Sequence, residues 1–144
     1  DTLEGRINES GHKMIKRIII PDDVDKIKET LKSMSSQKEI DCIITTGGTG
    51  LTGRDTTPEA VKEIASKHID GFGELFRQVS FNKIGTSAIQ SRAVAALINT
   101  TYVFCLPGST GACKDGWDEI LKYQLDIRHK PCNFVEIMPR LNEK

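Results

Sequence analysis

The chain has 144 residues, 38% of them hydrophobic and 28% charged, with 20 Lys+Arg set against 20 Asp+Glu. That length suits one domain able to bury its own core without disulfide or metal staples. The zero formal net charge argues against a general nucleic-acid binder, whose mark is a basic excess.

No apolar run approaches the ~20 residues a membrane helix needs. The visible start carries no secretory leader pattern. The chain then alternates short β-branched runs with helical patterns. Residues 17–20 read as a short strand closed by Pro21. Val24, Ile27, Leu31 and Met34 recur at three- and four-residue steps, which predicts an amphipathic helix over 23–35 capped by Asp22 or Asp23. Residues 40–46 form a largely apolar run, read as a strand covered on both faces. A glycine loop follows at once. Thr57 before Pro58 reads as an N-cap with proline at the first helical position, and Val61, Ile64, Ala65 and His68 share one face of that helix. Gly71-Phe72-Gly73 interrupts the pattern, with another short helix over 74–79.

Residues 87–98 read as a helix with Ile89, Ala93, Ala96 and Leu97 inward. Thr101–Leu106 is a strand that ends in Pro107-Gly108-Ser109-Thr110-Gly111. Trp117, Ile120, Leu121, Gln124 and Leu125 mark a terminal helix, and 133–138 reads as an edge strand stopped by Pro139. No repeat, low-complexity tract or linker divides the chain, so 1–144 reads as one domain.

Strands alternating with helices of this length predict an α/β fold with a mostly parallel sheet under helices. In such folds ligands sit at the carboxyl ends of the strands. Two glycine-containing loops, 47–50 and 107–111, follow directly from strands. Parallel strands would bring both loops to one rim and one shared cleft.

The first loop, Thr45-Thr46-Gly47-Gly48-Thr49-Gly50-Leu51-Thr52-Gly53-Arg54-Asp55, is built to meet an anion. Its glycines let backbone N–H groups turn toward a phosphate with no Cβ in the way. Threonine hydroxyls add donors, and Arg54 adds a fork for phosphate oxygens. Asp55 has the opposite sign and would repel a phosphate unless a cation lay between them. Mg²⁺ does this, held by one or two carboxylates plus substrate phosphates. The stretch therefore reads as a Mg-nucleotide or Mg-pyrophosphate site. It is not a P-loop, since no Gly-Lys-Ser/Thr follows, nor the dinucleotide fingerprint, since no helix opens at the third glycine.

The second loop offers backbone N–H groups, Ser109 and Thr110 at a helix start. This suits either an anion or an ordinary N-cap. Asp22 could face the same rim or cap its helix. Glu74, in a glycine-flanked turn, and Ser91 and Arg92, in mid-helix, are weaker candidates. Cys42, Cys105, Cys113 and Cys132 include no CxxC pair and no zinc spacing. Cys42 and Cys105 read as buried small hydrophobes, and this usage fits a reducing cytoplasm.

Taken together, Thr45-Thr46-Gly47-Gly48-Thr49-Gly50, Arg54-Asp55, Thr57-Pro58-Glu59-Ala60, Gly71-Phe72-Gly73-Glu74, Gly85-Thr86, Ser91-Arg92-Ala93-Val94-Ala95 and Leu106-Pro107-Gly108-Ser109-Thr110 resemble, in order, the motifs of the molybdopterin adenylyltransferases. The tail with Pro131-Cys132-Asn133-Phe134 resembles the MoaB branch rather than the MogA branch. The resemblance runs from about Gly11 to Phe134. It implies a three-layer α/β/α sandwich of the molybdopterin-binding type. It also implies an enzyme that adenylylates molybdopterin with Mg-ATP and releases pyrophosphate.

By the same resemblance, Asp55 binds Mg²⁺ and supports catalysis, and Asp22 is the second functional acid. Gly47, Gly48, Thr49 and Gly50 form the nucleotide and phosphate loop, and Ser91, Arg92, Pro107, Gly108 and Ser109 fall in stretches that line the cleft. With Thr46, Arg54, Glu74 and Thr110 these make the candidate site. The partners implied are molybdopterin, ATP and further copies of the chain in a trimer or hexamer, with no nucleic acid and no membrane. The family begins with an extra strand and a Ser-Asp loop, whereas this chain starts at Asp1-Thr2. The first strand is therefore expected to be missing, with Asp1-Thr2 the remnant of that loop. A rival expectation is a non-catalytic molybdopterin carrier or scaffold, against which the pair Asp55 and Asp22 argues. A weaker one is an unrelated Mg-dependent nucleotide hydrolase.

Overall fold

The computed structural model describes residues 2–144, so Asp1 of the expected loop remnant lies outside the described residues. In chain order the elements are α1 (Thr2–Glu9), α2 (Val24–Ser35), β1 (Cys42–Thr46), α3 (Thr57–Ile64), β2 (Lys67–His68) and α4 (Asp70–Ile84). A 3₁₀ stretch (Gly85–Gln90) leads to β3 (Val94–Ile98) and β4 (Thr101–Leu106). Then α5 (Thr110–Gly116) continues through a π-helical turn (Trp117–Leu121) into α6 (Lys122–Gln124).

The strands form one sheet in the order β1-β4-β3-β2. Every residue of β4 is buried, and its alternation divides the core in two. Tyr102, Phe104 and Leu106 face a cluster with Phe72 and Phe76 of α4, and with Trp117, Ile120 and Leu121 of the helical run after β4; Leu3 and Ile7 of α1 pack against it. Val103 and Cys105 face the other way, toward Ile27 and Leu31 of α2 and Ala60 and Val61 of α3. Helices thus cover both faces, and the architecture is the expected three-layer α/β/α sandwich. Its sheet is mixed. β1 and β4 are parallel, with Thr46 beside Leu106, while β4–β3 and β3–β2 are antiparallel. Among the described residues no strand precedes β1, which forms one edge.

Several local expectations give way. Residues 17–20 belong to no strand, and Ile18 and Ile19 are exposed, because this segment carries the chain from α1 on one face to α2 on the other. The helix expected over 87–98 is a 3₁₀ stretch followed by a strand. β3 and β4 are joined by Asn99-Thr100, with Asn99 at φ 57°, a residue type that tolerates this conformation in a hairpin turn. Ile89, expected inward, is exposed. The glycines at 71 and 73 do not interrupt a helix, because α4 runs through both. Gly73 is buried against the residue that leads into β3, where a Cβ would come within 2.6 Å of the Ala93 carbonyl. The cap of α3 is Thr56, with Thr57 already helical, and His68 lies exposed on β2, not on that helix.

Residues 133–138 form no strand. Asn133 is buried and tied to its neighbours by its own amide: Nδ2 donates to the carbonyls of Ile127 (3.2 Å) and His129 (3.0 Å), and Oδ1 accepts from the Glu136 amide (2.7 Å). Beside it, the Tyr102 hydroxyl donates to the Phe134 carbonyl at 2.6 Å, which fastens the tail to the central strand. Asp23 caps α2 as expected, its side chain accepting from the Lys26 amide at 3.0 Å.

Candidate functional site

Because β1 and β4 are parallel neighbours, the loops that leave their carboxyl ends meet. The Gly47 amide donates to the Leu106 carbonyl at 2.9 Å. A Cβ on Gly108 would lie 3.3 Å from the Gly47 Cα, so the two loops touch backbone to backbone. Between them lies a cavity of about 270 Å³. Gly48, Thr49, Gly50 and Asp55 line it from the first loop, and Pro107, Gly108, Ser109 and Ala112 from the second. Ser80 and Ile84 of α4, with Gln90 and Ser91 before β3, complete the wall.

The first loop is shaped by bonds from outside it. Thr57, the first residue of α3, donates its amide to the Gly48 carbonyl (3.1 Å) and its hydroxyl to the Gly47 carbonyl (3.4 Å). The Arg92 amide donates to the Thr49 carbonyl at 2.9 Å. The Arg92 side chain donates from Nε to the Gly50 carbonyl (2.7 Å) and from Nη2 to the Asp55 carbonyl (2.7 Å). Glu59 of α3 holds the same guanidinium through both carboxylate oxygens.

Asp55 is turned back into its own loop. Its Oδ2 accepts from the Thr52 amide at 2.9 Å and the Thr52 hydroxyl at 2.8 Å. These bonds, first the hydroxyl and then the amide, hold the carboxyl below the ordinary aspartate range, with smaller help from the Gly50 amide and the charge of Arg92. A side chain at Gly50 would push this carboxylate aside, since a Cβ would sit 2.7 Å from that same Oδ2. The Oδ1 oxygen lies outside the two Thr52 bonds. Arg92 likewise lowers the Glu59 carboxyl, chiefly by hydrogen bonding.

The second loop is simpler. Ser109 accepts from the Ala112 amide at 3.1 Å through its hydroxyl and caps α5. Its carbonyl accepts from the Cys113 amide at 3.1 Å.

Of the residues expected at the site, Gly48, Thr49, Gly50, Asp55, Ser91, Pro107, Gly108 and Ser109 line this cavity. Gly47 and Thr46 end β1 beside it, and Thr110 is exposed at the start of α5. Arg54 is exposed and makes no hydrogen bond or ion pair among the described residues. Asp22 and Glu74 are exposed and line neither this cavity nor a neighbouring one. That neighbour, about 490 Å³, is bounded by Lys62, His68, Asp70 and Arg77, and shares Ser91 with the first.

Sequence reasoning missed Ser80, Ile84, Gln90 and Ala112 as wall residues. It missed Glu59 as the partner of Arg92. Ser80 carries a faint signal, being a polar residue on the buried side of α4, and Glu59 stands within the Thr57–Ala60 motif; Ile84, Gln90 and Ala112 carry none. None of the four cysteines lines either cavity, and burial pushes the Cys105 thiol up to about 11, so it behaves as a packing residue.

Among the described residues no three His, Cys, Asp or Glu side chains converge as a metal cage. The one carboxylate lining the cavity between the loops is that of Asp55. That suits Mg²⁺, which takes one or two carboxylates and completes its shell with phosphate and water, and does not suit a closed protein-only site. Among the described residues no helix is long and apolar enough to cross a membrane.

Comparison with known proteins agrees with this geometry. Residues 1–127 match the family described as "Probable molybdopterin binding domain". The chain is 41% identical over 132 residues to the Molybdenum cofactor biosynthesis protein B of Escherichia coli (strain K12), a match that spans 92% of this chain and 78% of that one. It is 45% identical over 109 residues to the protein of the same name from Staphylococcus epidermidis, across 74% of this chain and 62% of that one. A crystal structure titled Molybdenum cofactor biosynthesis protein B superposes with a TM-score of 0.87 at 35% identity, covering 99% of this chain and 84% of that chain.

Proposed function

From the premise that the chain belongs to this molybdopterin-binding family of molybdenum cofactor biosynthesis proteins, we propose that its cleft transfers an adenylyl group from Mg-ATP to molybdopterin. The observation that supports this most is the meeting of two glycine-containing loops around one cavity that the Asp55 carboxylate also lines. A reaction that joins two phosphorylated molecules needs two such loops.

In this reading the terminal phosphate oxygen of molybdopterin attacks the α-phosphorus of ATP. The new P–O bond forms as the bond from the α-phosphorus to the bridging oxygen breaks, and pyrophosphate leaves with that oxygen. The chain supplies no nucleophile. It holds two anions in line, which is where most of the catalytic effect of phosphoryl-type transfer lies. Glycine-loop amides and the free Arg54 take phosphate oxygens from one side, and the Pro107–Ser109 backbone takes them from the other. Asp55 would hold Mg²⁺, which when bound supplies positive charge to the phosphate oxygens. Asp22 matches the family's second acid; it lines neither cavity, so the reading rests on Asp55. A trimer or hexamer belongs to the same reading.

The test is to mix the protein with molybdopterin, ATP and Mg²⁺ and to assay both adenylylated molybdopterin and pyrophosphate. Mg²⁺-dependent formation of both is expected. Tight molybdopterin binding without either product would make the protein a carrier or scaffold instead.

A further inference from the structure

Two arginines flank the glycine loop, and they stand in opposite situations. Arg54 is exposed and free among the described residues, whereas the Arg92 guanidinium is engaged. Arg92 has five N–H donors. Four hydrogen bonds use them: Nε to Gly50 O at 2.7 Å, Nη2 to Asp55 O at 2.7 Å and Glu59 Oε1 at 3.2 Å, and Nη1 to Glu59 Oε2. An arginine so occupied has little left for a phosphate.

We propose that Arg92 is a positioning residue that sets the shape of the 47–56 loop and the aim of Asp55, with Glu59 as the group that holds Arg92 in place. The inference rests on the reading of this cleft as the adenylyl-transfer site. Peptide planarity transmits this hold to the loop amides. A carbonyl and the N–H of the same trans peptide point in opposite directions. Arg92 draws the carbonyls of Thr49, Gly50 and Asp55 to itself, the first through its main-chain amide and the others through its side chain. The amides of Gly50 and Leu51 must then point away from it. The Arg92 Nη2 group also holds the main-chain carbonyl of Asp55 itself at 2.7 Å, so the orientation Arg92 imposes reaches that residue directly.

Arg92 also spans the loop. Gly50 and Asp55 lie on either side of the exposed stretch 51–54, and one planar fork fixes the distance between them. Lysine cannot replace this, because an ammonium is a single point of charge without the fork. Glu59 lies on the first turn of α3. The loop is therefore referenced at once to a helix and to the segment that enters β3.

The experiment uses R92K and E59Q in the full chain, with R54Q as the contrast. Hydrogen–deuterium exchange is followed in two segments, 47–56 and the β4 strand, alongside steady-state adenylyl transfer. R92K is expected to speed exchange in 47–56 by ~10-fold or more while β4 stays protected. It is expected to lower kcat by ~10–100-fold with KM for ATP changed by less than about three-fold, the pattern of misplaced groups rather than lost binding. E59Q, which keeps one acceptor for Arg92, shifts both readouts in the same direction by less. R54Q raises KM and leaves exchange unchanged. Unaltered exchange in 47–56 for R92K, or a rise in KM alone, overturns the proposal and makes Arg92 an ordinary ligand contact. If the wild type forms no adenylylated molybdopterin, the functional reading fails, and the exchange measurement still decides whether Arg92 shapes the loop.

Discussion

The two loops that form the cleft are made in different ways. The short one after β4 is local: Ser109 caps α5 through Ala112, its carbonyl takes Cys113, and the Cys113 thiol reaches the Pro107 carbonyl at 3.7 Å. The long one after β1 is tied down by Thr57, by Arg92 and by the end of β4. A local loop keeps its shape wherever its few residues are kept. A loop held from outside transmits any change in the distant residues to the site. The difference predicts that substitutions in the long loop disturb chemistry, and substitutions in the short loop disturb stability.

The largest effect is expected from Asp55→Asn, which keeps the shape of the side chain and removes its charge. Turnover should fall by ~10²-fold or more, the scale seen when a transition-state electrostatic contact is removed, while molybdopterin binding survives. Near wild-type turnover would take Asp55 out of the mechanism and leave the long loop a binding element only.

Gly50→Ala comes next. The new methyl would stand 2.7 Å from Asp55 Oδ2, and the carboxylate must swing away from Thr52 to make room. A displacement of this kind costs ~10-fold or more in turnover, with a small change in melting temperature. If the melting temperature drops sharply and turnover per folded molecule is normal, the glycine serves the fold and not the aim of Asp55.

Ser109→Ala tests the other side of the comparison. It removes the cap of α5, worth ~1 kcal/mol, and for a domain of this size lowers Tm by about 3–4 °C. Turnover at low temperature should change less than in either long-loop variant. A loss of turnover larger than that of Gly50→Ala would show that the Ser109 hydroxyl touches substrate, and the contrast between the loops would fail.

The same contrast explains what was legible in the sequence. The β4 strand is a continuous apolar run, α2 has a clean three-four period, and the cap at Ser109 lies within a few residues of what it caps; all three read correctly. The glycine loops were legible as loops that follow β1 and β4 because their residues are consecutive, and Asp55 lies on the cavity between them. Residues 87–98 were not, because Ala, Leu and Ile satisfy a helical period as readily as an alternating one; the deciding feature was Asn99, placed two residues from the next apolar run. The glycines of α4 looked like breaks because the carbonyl that requires one of them, that of Ala93 just ahead of β3, lies twenty residues on. Arg92 was misplaced on a helix, and its hold on Gly50 spans 42 positions, a pairing no local pattern reports. Asp22 shows the converse, for a motif match alone does not bring an exposed residue to the cavity wall.

The smallest effect is also the most selective between the loops. The long loop is held in part by two carboxylates, Asp55 bound to Thr52 and Glu59 bound to Arg92, and both are lowered from their ordinary values by those bonds. The short loop is held by a serine hydroxyl, which does not titrate. A carboxyl lowered in the folded state contributes stability above its unfolded value, about 3.9 for Asp and 4.3 for Glu. That contribution is lost as pH falls through the lower folded value. Between neutrality and about pH 4.5 both loops should therefore be unchanged. Below that, backbone amide chemical shifts in 47–56 should move while those in 107–113 hold. Asp55→Asn should remove the Thr52 part of this response and leave the Arg92–Glu59 part. If both loops shift together, the acid response is that of the whole sandwich, whose other lowered carboxyls, Asp118 and Asp126, lie on the α5–α6 side, and the long loop is no more dependent on its charges than the short one.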